Sequence, residues 1–375
     1  MADVRPFHAL RYAEALEPVV APPYDVLSEE QVAEYRARSP HSVVRLTRPG
    51  DDYDGAAALL REWVGSGVLA RDGEPAMFVH RTEFDGRVRL DVLAVLRLQP
   101  YEDRVVLPHE RTHRGPKADR LALLRATGTC LEPLWFLAEE LRPLLDAAPA
   151  GEEWSFGLAG ERHTVRRVTD PGWLAAVSGH LADRPVLIAD GHHRYETTLA
   201  YSREAMGEAG EDAAGRFTLA GLTDLADPGL QVLPTHRVLN AGVAVTGGEP
   251  VGSLDDLVGA LRGRVAAGTY RGGKFEVLPL EGEVPVVELH RQVIDNVLGK
   301  RSPEEHLTYT RDAEEAVRWV DSGRGTAAFF LDEPDLAAVL HAARAGITMP
   351  QKTTYFHPKL PSGMVFHTLD RERSP

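Results

Sequence analysis

Short apolar runs and longer stretches with helical spacing alternate along the chain, so the pattern predicts a mixture of strands and helices. The first half is expected to contain strands at 42–46, 76–79 and 88–98, helices at 55–63 and 117–126, a helix opened by Ser28-Glu29-Glu30, and hairpins between 147 and 170. The apolar run 185–189 predicts a buried strand, and helical character follows from Tyr195 to about Gly207. Residues 190–194 are therefore predicted to form a strand-to-helix turn.

The second half continues this alternation. Strands are predicted at 275–278, 285–289 and 326–331, and helices at 292–298, 313–321 and 336–345. Such a succession suits a sheet covered by helices. The segment 240–250 is rich in Gly and Val and is the predicted domain boundary. We expect an α+β protein with one domain over 1–240 and a layered α/β domain over 250–375.

Composition narrows the class of protein. The chain has 375 residues, of which 43% are hydrophobic and 26% are charged, as in ordinary globular proteins. Its net charge of -14 argues against broad attraction to a DNA or RNA backbone, because such binding needs an excess of Lys and Arg. A nucleic-acid partner is therefore not expected, although a local basic pocket is compatible with this charge.

Cysteine usage and the N-terminus predict the compartment. Cys130 is the only cysteine, so an intrachain disulfide is excluded and a reducing environment is favoured. Residues 1–7 lack the basic start and apolar core of a signal peptide, and no run approaches the ~20 apolar residues that cross a bilayer. We expect a cytoplasmic protein without a membrane partner.

The segment 190–194 is the strongest candidate for ligand chemistry. Gly191 in a tight turn would let the backbone approach a ligand, and the helix that follows would offer unpaired N–H groups and a positive dipole end. Arg194 adds a forked cation suited to phosphate oxygens. An ordinary turn capped by Asp190, with structural His192 and His193, explains the same residues equally well.

A second candidate surrounds Glu110. This residue follows His109 and precedes two cations, Lys117 and Arg120, as a base and its charge stabilisers would in phosphoryl transfer or hydrolysis. A solvated loop with surface ion pairs is the alternative. His109 and His113 have the i, i+4 spacing of a metal pair, but Gly115-Pro116 predicts a loop there. Magnesium carried by a nucleotide is expected in preference to a dedicated transition-metal site.

The segment 349–363 is rich in proline and polar residues. Two lysines, including Lys352, two threonines and a tyrosine would form a rigid loop able to close over an anion, or a plain C-terminal strand. Signatures of P-loop nucleotide hydrolases, α/β-hydrolases and helical zinc proteases are absent from the sequence.

Five blocks together resemble the prokaryotic domain of unknown function 1015 family. They are Pro22-Pro23-Tyr24-Asp25-Val26, Pro108-His109-Glu110-x-Thr112 with Lys117-x-Asp119-Arg120, 189–197, Pro234-Thr235-His236-Arg237, and 349–359. More distantly, the Asp-Gly-x-His-Arg arrangement at 190–194 resembles the phosphate-binding signature of the ParB/sulfiredoxin superfamily. That superfamily includes sulfiredoxin, CTP-binding partition proteins and nucleotide-dependent free-serine kinases.

The resemblance implies a ParB/sulfiredoxin-like mixed sheet and a role for each candidate residue. Gly191, His192, His193 and Arg194 would hold phosphates, His193 also being a catalytic candidate. Asp190 would position Mg²⁺ or the acceptor. Glu110 would act as the base, and the secondary anion contacts would be Lys117, Arg120 and Lys352.

These roles predict a kinase that transfers a phosphoryl group from ATP or ADP, or from CTP, to a small hydroxylated metabolite such as serine, and they allow for a homodimer. The long segment between Glu110 and Asp190 departs from the compact superfamily pattern. A nucleotide-binding regulator without turnover is the first alternative. The second is a metal-assisted phosphohydrolase that uses His109, Glu110, Asp190 and His193.

Overall fold

The structure is a computed structural model that describes residues 1–112, 114–207, 209–241, 248–299, 301–370 and 374–375. Two compact units divide it. The first comprises Met1–Pro108, Thr112–Leu230 and Pro358–Pro375, and the second comprises His109–Arg111 and Gln231–His357. The first unit thus ends earlier than the predicted boundary and regains the end of the chain. The assignment of 1–240 and 250–375 as domains stays a prediction.

Helices and strands of the first unit follow in chain order. The helices are α1 Glu29–Arg38, α2 Val44–Thr47, α3 Tyr53–Gly65, α4 Arg114–Thr127, α5 Arg142–Asp146, α6 Pro171–Ala182 and α7 His192–Met206. The strands are β1 Val4–Arg5, β2 Leu10–Tyr12, β3 Leu69–Arg71, β4 Met77–Phe84, β5 Arg87–Arg97, β6 Val106–Leu107, β7 Thr129–Cys130, β8 Leu134–Ala138, β9 Glu152–Leu158, β10 Glu161–Val168, β11 Val186–Asp190, β12 Phe217–Asp224 and, at the end of the chain, β21 His367–Thr368.

A nine-stranded mixed sheet forms the centre of the described part of this unit. Its order is β6-β11-β8-β12-β5-β4-β10-β9, with β1 paired to β5. The pairs β11–β6 and β12–β8 are parallel and the others are antiparallel. Alternate residues of β5 enter different hydrophobic cores: Leu93 and Val95 join one, and Val92, Ala94 and Leu96 join the other. Both faces of the sheet are therefore covered.

The second unit contains a six-stranded antiparallel sheet in the order β15-β17-β16-β19-β14-β18. The strands of this unit are β13 Gln231–Leu233, β14 His236–Leu239, β15 Glu249–Val251, β16 Ala266–Arg271, β17 Lys274–Pro279, β18 Leu307–Thr310, β19 Ala327–Phe330 and β20 Tyr355–His357. Strands β13 and β20 pair with each other outside the six-stranded sheet. Its helices are α8 Leu254–Leu261, α9 Pro285–Leu289, α10 Asp295–Leu298, α11 Pro303–His306, α12 Ala313–Asp321 and α13 Leu336–Arg344. No helix within the described ranges is long and apolar enough to cross a membrane.

The structure confirms a mixed α+β protein, but two predicted strands are wrong. Residues 42–46 and 285–289 were expected as strands and form the short helices α2 and α9. Both runs are apolar and only about one turn long, a length at which a buried helix and a buried strand have the same pattern. In addition, Pro285 stands at the first turn of α9, a position that favours a helix.

The predicted loop around Gly115-Pro116 is also wrong. Helix α4 begins at Arg114 and includes both residues. Proline is tolerated in the first turn of a helix, because the N–H group that it lacks has no partner within the helix at that position. The possible metal pair of His109 and His113 is not described further, because His113 lies outside the described residues.

Candidate functional site

The turn at 190–194 forms as predicted between a buried strand and a helix. Strand β11 ends at Asp190, Gly191 has a φ of 97°, and α7 begins at His192. A side chain at 191 would collide with its surroundings, because a Cβ atom there would lie 2.7 Å from Leu134 Cδ2 and 3.2 Å from Arg194 Nη2. Backbone conformation and packing therefore both favour glycine at this position.

Asp190 binds two cations at the mouth of α7. Its Oδ2 accepts a 2.8 Å hydrogen bond from Arg194 Nη2, and its Oδ1 pairs with the ammonium group of Lys359. Lys359 is a site residue that did not stand among the predicted ones. It lies within the 349–359 block that resembles the family, and this membership was the signal in the sequence that could have pointed to it. No local pattern links it to Asp190, which lies 169 positions earlier.

Arg194 is enclosed by acceptors. Its Nη1 donates to Pro133 O at 3.1 Å and lies 3.8 Å from Glu132 Oε2. Burial lowers the pKa of this guanidinium, but the carboxylates of Glu132 and Asp190 outweigh burial and raise it above the usual value. Arg194 therefore stays charged, and its Nη1 and Nη2 atoms each donate one hydrogen bond to a protein oxygen.

The side chains of Lys117 and Glu196 meet beside α7. Glu196 accepts hydrogen bonds of 2.9 and 3.0 Å from Thr112 Oγ1, and the ammonium group of Lys117 binds the same carboxylate. Lys117 therefore contacts the fifth residue of α7, and its role as an anion contact stays a prediction.

Arg120 faces a different set of groups. It donates to Asp119 at 2.6 Å and to Thr47 O at 2.8 Å, and its guanidinium lies 4.2 Å from the centre of the Tyr24 ring. Burial raises the pKa of Tyr24 to about 12, so this phenol is neutral at physiological pH. Lys117 and Arg120 are three residues apart on α4, but their side chains engage different partners.

Arg120 and Arg194 both line a small cavity beside the turn. Its volume is about 60 Å³, and its lining also includes Glu132 and the side chains of Thr197 and Thr198. This volume accommodates a few water molecules but not a nucleotide. The cavity belongs to the same part of the molecule as the turn.

The two histidines of the turn differ in exposure. His192 is buried with 7% of its surface accessible, whereas His193 is half-buried. The backbone carbonyl of His193 accepts a 2.8 Å hydrogen bond from Thr197 Oγ1. Of the two rings, His193 is the better placed to meet a ligand.

Glu110 and Lys352 lie together in the second unit, whereas the turn residues belong to the first. The carboxylate of Glu110 accepts N–H bonds from Lys352 at 3.0 Å, Thr353 at 2.9 Å and Thr354 at 3.1 Å, and Thr354 Oγ1 lies at 3.3 Å. Three successive N–H groups around one anion form a backbone nest. In this structure the backbone of the 349–363 loop therefore binds the carboxylate of Glu110, and closure of the loop over a ligand anion stays a prediction.

Lys352 contributes its backbone rather than its side chain. Its φ of 55° is unusual for a non-glycine residue and turns its N–H toward Glu110, while the side chain is exposed. Its carbonyl accepts a 2.9 Å bond from Arg237, which is fully buried. Among the described residues, no three His, Cys, Asp or Glu side chains are grouped closely enough to hold a metal ion.

The family model described as "Protein of unknown function (DUF1015)" matches residues 4–314, which is most of the chain. The chain belongs to the DUF1015 family. This membership confirms the resemblance to the family; four of the five sequence blocks lie within the matched residues, and the block 349–359 lies beyond them. No curated protein matches this DUF1015 sequence.

Solved structures share only a distant likeness with this DUF1015 protein. A conserved hypothetical protein from Pyrococcus furiosus is 17% identical, with a TM-score of 0.41 over 72% of this chain and 93% of that one. A free serine kinase in complex with AMP is 16% identical, with a TM-score of 0.42 over 74% of this chain and 91% of that one. A glutamate mutant of a free serine kinase in complex with ADP is 15% identical, with a TM-score of 0.44 over 74% and 92%. Values this low do not decide the function.

Proposed function

We propose that the 190–194 turn binds the phosphates of a nucleotide, in the manner of the ParB/sulfiredoxin superfamily that its sequence resembles. The observation that carries the proposal is the meeting of Arg194 and Lys359 on Asp190 beside a left-handed Gly191, at the start of a 15-residue helix. A helix N-terminus attracts anions, and two fixed cations strengthen that attraction.

An incoming phosphate would share these cations with Asp190. Arg194 offers a planar fork that matches two phosphate oxygens, and Lys359 offers a point charge. Lys117, held on Glu196 beside the same helix, is available as a further contact. Because each oxygen of Asp190 already binds a cation, an accompanying Mg²⁺ would be held mainly by phosphate oxygens.

The proposed reaction is transfer of a phosphoryl group from ATP or ADP, or from CTP, to a small hydroxylated metabolite such as serine. Arg194 and Lys359 would offset the charge on the transferred group. His193, whose side chain is half-buried, lies within the turn proposed to bind the phosphates and is a catalytic candidate. Glu110 is the proposed base for the acceptor hydroxyl. For that role, Glu110 would have to exchange backbone N–H donors for the hydroxyl.

Ligand-dependent stabilisation tests the binding step. Saturating ATP, ADP or CTP should raise the melting temperature, since a ligand at about 100 times its Kd stabilises the native state by about 2.7 kcal/mol. Lys359→Ala and Arg194→Gln should reduce this shift, and Arg61→Ala, which removes an exposed arginine from α3, should not. A flat response to all three nucleotides would refute the proposal. Mass spectrometry of mixtures with serine and other hydroxylated metabolites tests turnover.

A nucleotide-binding protein without turnover is the second candidate. It is favoured by Glu110, whose carboxylate is held by three backbone N–H groups rather than presented to a ligand. Tight nucleotide binding with no phosphorylated product, together with a nucleotide-dependent change in oligomeric state, would support it over the kinase.

A further inference from the structure

A cluster of buried polar side chains crosses the large sheet of the first unit, at the level of strands β4, β5 and β12. It consists of His80, Arg89, Asp91 and Thr223, all of which are 0% exposed, and we call it the Asp91 cluster. Asp91 stands at its centre, because it is the register partner of His80 on one side and of Thr223 on the other. None of these residues stood among the predicted site residues.

Each member of the cluster binds Asp91. His80 Nδ1 donates at 3.0 Å, Arg89 Nε and Nη2 lie at 3.0 and 3.1 Å, and the Thr223 hydroxyl also donates. Burial lowers the pKa of His80 to about 4, so its ring is neutral at pH 7. Burial alone would raise the pKa of Asp91, but Arg89 and His80 outweigh it and hold the pKa below the usual value. The central ion pair is therefore Arg89 with Asp91.

Burying such an ion pair inside a sheet carries a large desolvation penalty. Removing two charges from water costs several kcal/mol per ion, and apolar residues of similar size would often fold as stably. Stability alone therefore does not explain why Arg89 and Asp91 are paired in the sheet interior. Its contacts outside the cluster supply one.

Two contacts lead from the cluster to the turn. Arg89 Nη1 donates to the carbonyl oxygen of Pro358, the residue immediately before Lys359. On the other side, Thr223 Oγ1 accepts a 2.7 Å bond from Trp135 Nε1, and Trp135 is the register partner of Asp190. Both partners of the Lys359–Asp190 contact are thus tied to the same buried cluster.

The segment around Lys359 has further anchors in the same unit. A Cβ atom on Gly221 would lie 2.4 Å from Leu360 Cδ1, so the leucine packs directly on the strand at a residue without a side chain. Ser362 exchanges backbone hydrogen bonds with Ala21. Arg89 holds the near end of this segment and Ser362 holds the far end.

We infer that Arg89 and Asp91 are positioning residues that fix the Pro358 carbonyl and thereby hold the Lys359 ammonium group on Asp190 at the phosphate-binding turn. They act through Lys359 and do not touch the ligand. The geometric part of this inference stands on the contacts alone, whereas its effect on ligand binding rests on the proposed function.

A double-mutant cycle with ADP as the probe tests the inference. Loss of one charge-assisted contact should lower affinity about tenfold, so Arg89→Gln should do this in the natural background and change affinity less than about twofold in the Lys359→Ala background. Arg89→Lys, which keeps the charge but not the fork, serves if Arg89→Gln does not fold. His163→Gln is the matched control, because His163 Nδ1 meets His80 at 3.1 Å on the side away from Pro358. It should lower stability without changing affinity.

The outcomes separate this inference from the proposed function. If the Arg89 variants lower ADP affinity equally in both backgrounds, Arg89 does not act through Lys359 and the inference is overturned. If the natural protein binds neither ADP nor inorganic phosphate, the proposed function fails. The same cycle is then read in urea unfolding, where non-additive effects of the Arg89 and Lys359 substitutions support the positioning role and additive effects overturn it.

Discussion

Replacing Glu110 with glutamine separates its role as an anchor from its proposed role as a base. In the structure, Glu110 Oε1 faces the N–H groups of Thr353 and Thr354, and Oε2 faces the N–H of Lys352. Glutamine keeps one carbonyl oxygen but places an NH₂ donor against another N–H donor. One hydrogen bond is therefore lost, and the others lose the negative charge that strengthened them.

The size of the effect follows from these bonds. A hydrogen bond to a charged group contributes about 1.5–3 kcal/mol and a neutral one about 0.5–1.5 kcal/mol. Because the loop is partly exposed and such terms are not additive, we expect Glu110→Gln to destabilise the loop by about 2–3 kcal/mol. If the nest opens locally, its amides should exchange with solvent roughly 30 to 150 times faster.

Hydrogen exchange followed by mass spectrometry on peptides that cover 350–357 measures this change directly. Glu283→Gln is the control, because Glu283 is an exposed glutamate of the same unit. Unchanged exchange at 352–354 in Glu110→Gln would show that the nest does not depend on the charge, and the anchoring role would be wrong. If turnover is detected, loss of kcat in a variant with intact exchange would assign Glu110 to the chemistry instead.

Two further predictions concern the first unit and the response to acid. Gly191→Ala should lower the free energy of unfolding by about 2–3 kcal/mol, since a left-handed residue with a side chain costs about 1–2 kcal/mol and Leu134 must also move. Gly50→Ala, at a φ of 68° with open space around it, isolates the backbone cost in urea titrations, and equal effects of the two substitutions would contradict the packing argument. Burial lowers the pKa of His367 and of His236 to about 4. Between pH 4 and 6.5 these two rings are therefore protonated in the unfolded chain but mostly neutral in the native state. Stability should therefore be complete above pH 6.5 and fall by about 2 kcal/mol per histidine by pH 5, and a flat pH profile of urea midpoints would refute this.

Where the chain alone could predict the fold, the information was local and repeated. The helix at Ser28 has a full capping box with Gln31, and β5 is an eleven-residue strand in which seven residues are apolar, so each has several residues that agree. The four-residue helix α2 has no such repetition, because its apolar side chains are buried on all sides. Tertiary packing decides the conformation of a run that short.

The candidate site divides in the same way. The turn at Gly191 was predictable because a strand, a glycine and a helix start are consecutive in sequence. Lys359 was not, because its partner Asp190 lies 169 positions earlier in the chain and the two residues meet only in the folded first unit. Arg89 was hidden for a further reason: an arginine within an apolar strand predicts an exposed face. Its burial is compensated by the carbonyl of Pro358, the carboxylate of Asp91 and the ring of Trp135, which lies 4.4 Å from the guanidinium.

The contacts of Asp190 also explain how one turn can hold cations before any ligand arrives. A pair of buried cations without a counter-charge would repel each other and lower the stability of the native state. Asp190 removes this cost in the free protein by accepting from Arg194 and Lys359 at different oxygens. Under the proposed function, a phosphate that binds here would take over part of that role, so the free energy of binding would be the difference between two sets of charge-assisted contacts. Affinity at such a turn would then depend on how firmly each cation is held in place, and Arg89 is inferred to hold Lys359 in place through Pro358.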